Sequence, residues 1–350
     1  MYYKSMSDFK INEKDISANC KLLILIAENT QHTEIFNLFQ YLDSLGIEYM
    51  GGIFPSVIYK DNYYNSGFIV KYFYNIEFAE ILSMDSENVE IPVYNKKEIS
   101  SLILVDGLSP NIKDFLNLLF TNYTDTIKYF GGGAGSLKPN NLPPIFHKGK
   151  FYENSALVIL LETDVELFID HGWDKMDGPF LVTSSQLNIL KEINWQSALS
   201  FYEEIIFEKT GLKLNENNFF DVTKAFPLGI ENEDENIIVR DPWKIVDDED
   251  ILCVSDIPNN STIYILNGDA ISLLKISKRV RIQNRKSNSL LFDCVSRALF
   301  LEKNFDIELL NISSQTKNDV IGVLSIGEIS TTTKGKLAFL NKTLVYCEFD

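Results

Sequence analysis

Leu102–Gly107 (LILVDG), Tyr129–Ser136 (YFGGGAGS) and Asn154–Leu161 (NSALVILL) spell out a unit: an apolar strand, an amphipathic helix, a second strand running into glycines, a loop, and a third strand. The unit is written twice more. Upstream it reads Leu22–Ala27 (LLILIA), Tyr49–Ile58 (YMGGIFPSVI) and Asn65–Val70 (NSGFIV); downstream it reads Leu290–Cys294 (LLFDC), Val323–Ser330 (VLSIGEIS) and Leu340–Cys347 (LNKTLVYC). Aligned on the glycines, the second copy continues as His147–Leu160 (HKGKFYENSALVIL) and the third as Thr333–Cys347 (TKGKLAFLNKTLVYC), so the Gly-Lys step and the later Asn keep their order. The first copy lacks the Gly-Lys step and is the most divergent. Repetition on this scale decides the architecture, because every copy must fold the same way.

Leu22–Ala27 is a continuous apolar run, as a strand covered on both faces requires. Thr33 is placed to cap a helix whose Ile35, Leu38, Phe39 and Leu42 share one face. In the second copy Ser109 and Pro110 suit an N-cap and the first helical position, with Ile112, Phe115, Leu116 and Leu119 turned inward. From Ala156 to Trp195 short runs at hairpin spacing predict an antiparallel meander. Ser197–Phe207 reads as a helix, and three further strand-like runs follow between Ile238 and Gly268. The fold class expected is α+β: internally repeated strand-helix-strand-hairpin units forming mixed sheets, with helices packed outside.

A chain of 350 residues that is 45% hydrophobic can bury a large core, and its length suggests two domains. The polar stretch Leu212–Asn218 is the expected boundary, giving halves of 20–212 and 213–350. The formal net charge of -17 opposes a nucleic-acid partner, since phosphate binding draws on Lys and Arg. The basic run Lys275–Lys286 and the acidic runs Glu231–Asn236 and Val246–Asp250 read as solvated surface, and neither acidic run has the spacing of a calcium loop. Cys20, Cys253, Cys294 and Cys347 lie far apart, without the spacing of a zinc knuckle or redox motif, and imply a reduced setting. The N-terminal residues carry scattered charge and no apolar signal core, and no apolar run approaches the ~20 residues of a membrane span. A cytoplasmic protein with no membrane insertion is expected.

Gly131–Gly135 invites a phosphate-loop reading, but a dinucleotide fingerprint needs a helix to start there, and Ser136–Phe146 carries three prolines. A strand-end turn is expected instead. His171, in a DHGW segment beside Trp173, is either a hydrogen-bonded turn residue or a ligand to haem iron. Cys294 follows an apolar run and is expected to be a buried small residue, the alternative being a nucleophile partnered by His171. Arg297 and Glu328 each follow a strand of one repeat, where open sheets place their ligand crevices. A guanidinium and a carboxylate there suit an amino acid or similar zwitterion, or else they pair with each other. Gly322, Ser325, Gly327 and Ser330 leave room for backbone contact with a ligand.

Four segments, Phe292–Arg297 (FDCVSR), Ile321–Ser330 (IGVLSIGEIS), Phe339–Val345 (FLNKTLV) and His171–Thr183 (HGWDKMDGPFLVT), resemble the FIST family of sensory domains, with its N-terminal and C-terminal halves, in sequence and in order. The resemblance runs from Cys20 to the C-terminus. It departs at Gly51–Ile58, which lacks the Gly-Glu step seen at Gly327-Glu328. The resemblance implies a non-enzymatic sensory protein in signal transduction that binds a small molecule, and the residues read above as its candidate site are Cys294, Arg297, Ser325, Gly327, Glu328, His171 and Trp173. It implies a separate output partner such as a histidine kinase, diguanylate cyclase or chemoreceptor, and no obligatory cofactor. The alternatives are a haem-binding nitric oxide sensor and a small-molecule hydrolase using Cys294 and His171.

Overall fold

The computed structural model describes residues 1–9, 20–92, 98–123, 127–138, 142–231, 237–280, 286–332 and 335–350. Parts of the runs Lys275–Lys286 and Glu231–Asn236 therefore lie outside the described residues.

The first repeat contains β1 (Tyr2–Tyr3), β2 (Lys21–Ala27), α1 (His32–Ser44), β3 (Glu48–Phe54), the hairpin β4 (Ser56–Tyr59) and β5 (Asn62–Tyr64), and β6 (Phe68–Phe73). The second contains β7 (Ile76–Ser83), β8 (Ile99–Asp106), α2 (Ile112–Tyr123), β9 (Ile127–Ala134), the hairpin β10 (Ile145–His147) and β11 (Lys150–Tyr152), and β12 (Ser155–Leu161). The third opens with β13 (Glu166–Asp170) and is then interrupted. Between residues 174 and 277 lie β14 (Asp174–Gln186), β15 (Ile189–Ile193), β16 (Gln196–Ser197), α3 (Ala198–Thr210), α4 (Phe219–Thr223), β17 (Leu228–Glu231), β18 (Ile237–Arg240), β19 (Pro242–Val246), β20 (Asp250–Cys253), β21 (Thr262–Asn267) and α5 (Ala270–Ser277). The repeat resumes with β22 (Asn288–Cys294), α6 (Val295–Leu301), α7 (Phe305–Gln315), β23 (Ile321–Ser325), the hairpin β24 (Glu328–Thr331) and β25 (Leu337–Leu340), and β26 (Leu344–Phe349).

Each repeat forms a 6-stranded sheet, and each sheet is completed by a hairpin from another repeat. The first sheet, β1-β6-β2-β3, takes β10-β11 from the second repeat; the second, β7-β12-β8-β9, takes β24-β25 from the third; the third, β13-β26-β22-β23, takes β4-β5 from the first. The exchange is cyclic. In every copy the first long strand runs parallel to the glycine strand and antiparallel to the last strand.

The glycines explain how the sheets close. Gly51, Gly131 and Gly322 are opposite Ile24, Ile103 and Leu291 in the three parallel pairs. A β-carbon there would come within 1.8, 1.8 and 2.2 Å of the partner's carbonyl oxygen. Gly131–Ala134 is thus the end of β9 itself, neither a phosphate loop nor the strand-end turn expected, because these glycines are what lets the two parallel backbones approach.

Alternation divides each apolar strand between two layers. Leu23, Leu25 and Ala27 join residues of all three sheets in a central core, while Leu22, Ile24 and Ile26 pack under Ile35, Leu38, Phe39 and Leu42 of α1. On α2 the residues turned to the second sheet are Ile112, Phe115, Leu116 and Leu119. Each buried side chain of this size contributes about 1.5–3 kcal/mol. Helices α5–α7 cover the third sheet. The inserted strands form an 8-stranded sheet with its own core around Tyr202, Ile206 and Phe219.

Three local expectations change. The runs between Ala156 and Trp195 are not one meander: β12 pairs with β7 and β8, β13 pairs with β26, and only β14, β15 and β16 pair in succession. Repeat geometry, not proximity in the chain, chooses those neighbours. Thr33 lies inside α1, whose N-cap is Gln31, because the preceding Thr30 hydroxyl already binds the Ala27 and Gly67 carbonyls and closes the turn. Ser109 and Pro110 stand outside α2, with the Ser109 hydroxyl receiving the Asn111 N–H.

Candidate functional site

The parallel strands β8, β9, β22 and β23 end close together, and a cavity of about 650 Å³ opens beyond them. Gly107 follows β8, Ser136 follows β9, Cys294 ends β22, and Ile326 and Gly327 follow β23. Crevices beyond carboxyl ends of strands are common ligand sites because the loops there are free to diverge. The inserted sheet roofs this one with Arg240, Asp241, Leu252 and Ser255. Leu108, Ile112, Leu116, Leu299 and Phe339 make its walls mainly apolar.

Polar groups gather at its floor. Lys342, fully buried, places Nζ 3.2 Å from Asp241 and donates to Ser296 Oγ at 2.9 Å and to the Lys224 carbonyl at 3.1 Å. The Ser296 hydroxyl donates to Asp241. Asp241 Oδ1, Asn341 Oδ1 and Ser255 Oγ are buried and have no hydrogen-bond partner among the described residues. All three residues border the cavity. Burial raises the Asp241 carboxyl above its ordinary value, opposed by the charge of Lys342.

Glu328 lies fully buried behind this floor. Its Oε1 accepts from Ser325 Oγ at 2.8 Å and its Oε2 from the Thr343 N–H at 3.2 Å, so it holds the turn that carries Asn341 and Lys342. Burial pushes its pKa up to about 8 against the hydrogen bonds of Ser325, Thr343 and Cys294. Gly327 borders the cavity with φ +81, and a β-carbon on it would fall 2.2 Å from the Phe339 ring.

Of the residues singled out from the sequence, Cys294 and Gly327 border the cavity, and Ser325 and Glu328 stand directly behind them. Arg297 and Glu328 do not pair. Arg297 is gripped by Glu308 through Nε–Oε1 and Nη2–Oε2, both 2.8 Å, and donates to the carbonyls of His171 and Leu273. His171 is a turn histidine: its Nδ1 accepts the Trp173 N–H at 2.9 Å, and burial lowers its pKa. Trp173 packs on the Phe300 ring and under Lys342.

None of the three histidines borders the cavity, so the described residues do not fit a histidine-ligated haem there. Burial raises the Cys294 thiol far from the range of a reactive thiolate. Arg240, Asp241 and Lys342 were not singled out by the sequence pattern, and Asn341 only as the Asn that keeps its order between copies. Arg-Asp set inside the apolar run Ile237–Val246, and Asn-Lys set between Leu340 and Leu344, are the only traces they leave there.

Repeats closed by exchanged hairpins, with a cavity walled from both sides of residue 197, define an α+β protein in two interlocked parts. The chain belongs to the FIST family: residues 21–196 match the FIST N domain and residues 198–331 the FIST C domain. FIST domains are associated with sensory signal transduction. No curated protein matches the chain. The junction of the two matches falls inside the third repeat, after β13 and before β22. No helix among the described residues is long and apolar enough to cross a membrane.

Proposed function

We propose that this protein is a cytoplasmic, non-enzymatic sensor that takes a small molecule, such as an amino acid or a related ligand, into the cavity beyond β8, β9, β22 and β23. The observation that carries the reading is the cavity's shared ownership. Gly107–Asn117 and Leu187–Asn188 come from the FIST N part, and Arg240–Asp241, Cys294–Leu299 and Gly327 from the FIST C part. A ligand between two parts stabilises the arrangement it fits, by as much as it prefers that arrangement. Cys294 and Gly327 form wall, Ser325 and Glu328 hold the floor, and Arg297, His171 and Trp173 brace the frame. Occupancy passes to a separate output protein, such as a histidine kinase, a diguanylate cyclase or a chemoreceptor, without a cofactor.

A thermal-shift screen of amino acids, organic acids, amines and haem tests this. A ligand at 100 times its dissociation constant stabilises by about 2.7 kcal/mol. Ala338→Trp, which places an indole on the cavity wall, should abolish the shift. A screen with no shift, or a shift that survives the substitution, overturns the reading.

A further inference from the structure

The charges around the cavity do not balance. Its charged lining residues are Lys113, Arg240, Asp241 and Asp256, and Lys342 stands behind Asp241. Lys342 pairs with Asp241 at 3.2 Å, and Lys113 pairs with Asp256 at 3.5 Å. Arg240 is left over. Its Nε donates to the Asp256 carbonyl at 2.8 Å and its Nη1 to the carbonyls of Val239 and Phe339 at 3.0 and 3.3 Å. Among the described residues no carboxylate oxygen lies within 4.0 Å of it, in a chain whose net charge is -17.

A half-buried guanidinium whose hydrogen bonds go to neutral carbonyls has lost hydration for no counter-charge nearer than Asp256, which lies beyond ion-pair distance, and the loss draws Arg240 down to about 10 against that charge. An anion delivered to the cavity would supply what the protein does not, and a guanidinium binds carboxylates with matched geometry. Protonating Asp241 would enlarge the positive excess rather than remove it.

The unpartnered atoms set a second requirement. Asp241 and Asn341 are 1% and 2% exposed, and their Oδ1 atoms can only accept, so the ligand must bring a donor. An ammonium is the wrong donor here, which narrows the class proposed above from amino acids to related ligands without a free amine. The Asp241 charge is already met by Lys342, and a zwitterion would leave Arg240's excess in place. A neutral N–H or O–H satisfies the acceptor and leaves the site balanced.

We infer that the cavity takes a monoanionic carboxylic acid with an apolar body and a neutral hydrogen-bond donor near the acid group. An N-acyl amino acid or a longer 2-hydroxy acid fits this description. The carboxylate binds Arg240, the donor binds Asp241 or Asn341, and the apolar body lies along Leu108, Ile112, Leu116 and Phe339. A volume of about 650 Å³ is ample for such a molecule. The inference rests on the cavity being the ligand site.

Calorimetric titration of the full chain with four probes separates the two claims: N-octanoyl-leucine, its neutral methyl ester, the cationic octyl ester of leucine, and free leucine. The acid should bind at least 10-fold more tightly than the other three. Arg240→Gln should remove that advantage while leaving the ester's weak binding unchanged. The ester comparison uses the unaltered protein, so it stands even where Arg240→Gln does not fold. Tighter binding of either ester or of free leucine overturns the ligand class and leaves the cavity as the site. Binding by none of the probes, at any charge, overturns both.

Discussion

Arg297 and Glu308 form a two-pronged ion pair, each contact 2.8 Å, with both side chains at 0% exposure. Through the Leu273 and His171 carbonyls the same guanidinium ties α5 and the turn after β13 to α6. Removing either partner strands a buried charge. Arg297→Ala or Glu308→Ala should each cost about 3–5 kcal/mol in urea unfolding. The double change Arg297→Met with Glu308→Leu should recover most of the loss. A single substitution that costs under about 1 kcal/mol would show that the pair does not hold these helices.

Glu328 predicts how stability changes with pH. Its pKa rises from 4.5 in a model peptide to about 8 in the fold. The folded state therefore holds a proton that the unfolded chain has released, and the contribution present below pH 4.5 is lost as pH rises toward 8. Asp293, also raised by burial, acts in the same direction. Chemical denaturation at pH 6 and pH 8.5 should show lower stability at the higher pH, and Glu328→Gln should flatten the difference. An unchanged slope in Glu328→Gln would assign the effect elsewhere.

Two glycines with similar backbones should respond differently to alanine. Gly327 and Gly335 have φ of +81 and +84, so each pays conformational strain, but only Gly327 has a neighbour in the way. Gly335→Ala should cost about 1 kcal/mol and Gly327→Ala roughly 2–5, as strain and a clash with Phe339 add. Because Phe339 borders the cavity, Gly327→Ala should also weaken ligand binding where Gly335→Ala does not. Equal costs would remove the packing argument.

Lys71 is buried at the junction of the first and third sheets. Its Nζ donates to Asn288 Oδ1 at 2.9 Å and lies 5.3 Å from the centre of the Phe349 ring. Burial lowers its pKa to about 8, so its charge destabilises the fold below that pH, and the penalty fades as pH rises toward 10.5. Lys71→Met should raise stability at pH 7 by about 1–3 kcal/mol, with a smaller gain at pH 10. A loss at pH 7 would mean the lysine is held by more than it gives up in hydration.

Much of this protein is decided locally. The periodicity of residues 22–42 and 102–119 is enough to assign β2, α1, β8 and α2 and the inward faces of both helices, because burial on one face repeats at 3.6 residues and burial on both faces leaves a continuous apolar strand. Repetition of the unit identified its three copies and placed Cys294 and Gly327 near the ends of strands, but it suggested two sheets where the fold has one for each copy and a fourth from the inserted strands. The hairpins could not be assigned to their sheets this way. β4-β5, β10-β11 and β24-β25 would read identically whether they paired within their own repeat or with another, since edge pairing depends on backbone groups that every residue carries. Arg297 and Glu328 share one repeat, yet Arg297 is gripped by Glu308, and the cavity cation with no carboxylate within 4.0 Å among the described residues is Arg240 from the inserted sheet. Charge partnership is set by distances of a few ångströms between segments far apart in the chain, so only the tertiary structure decided which charges are neutralised and which one borders the cavity without a close carboxylate.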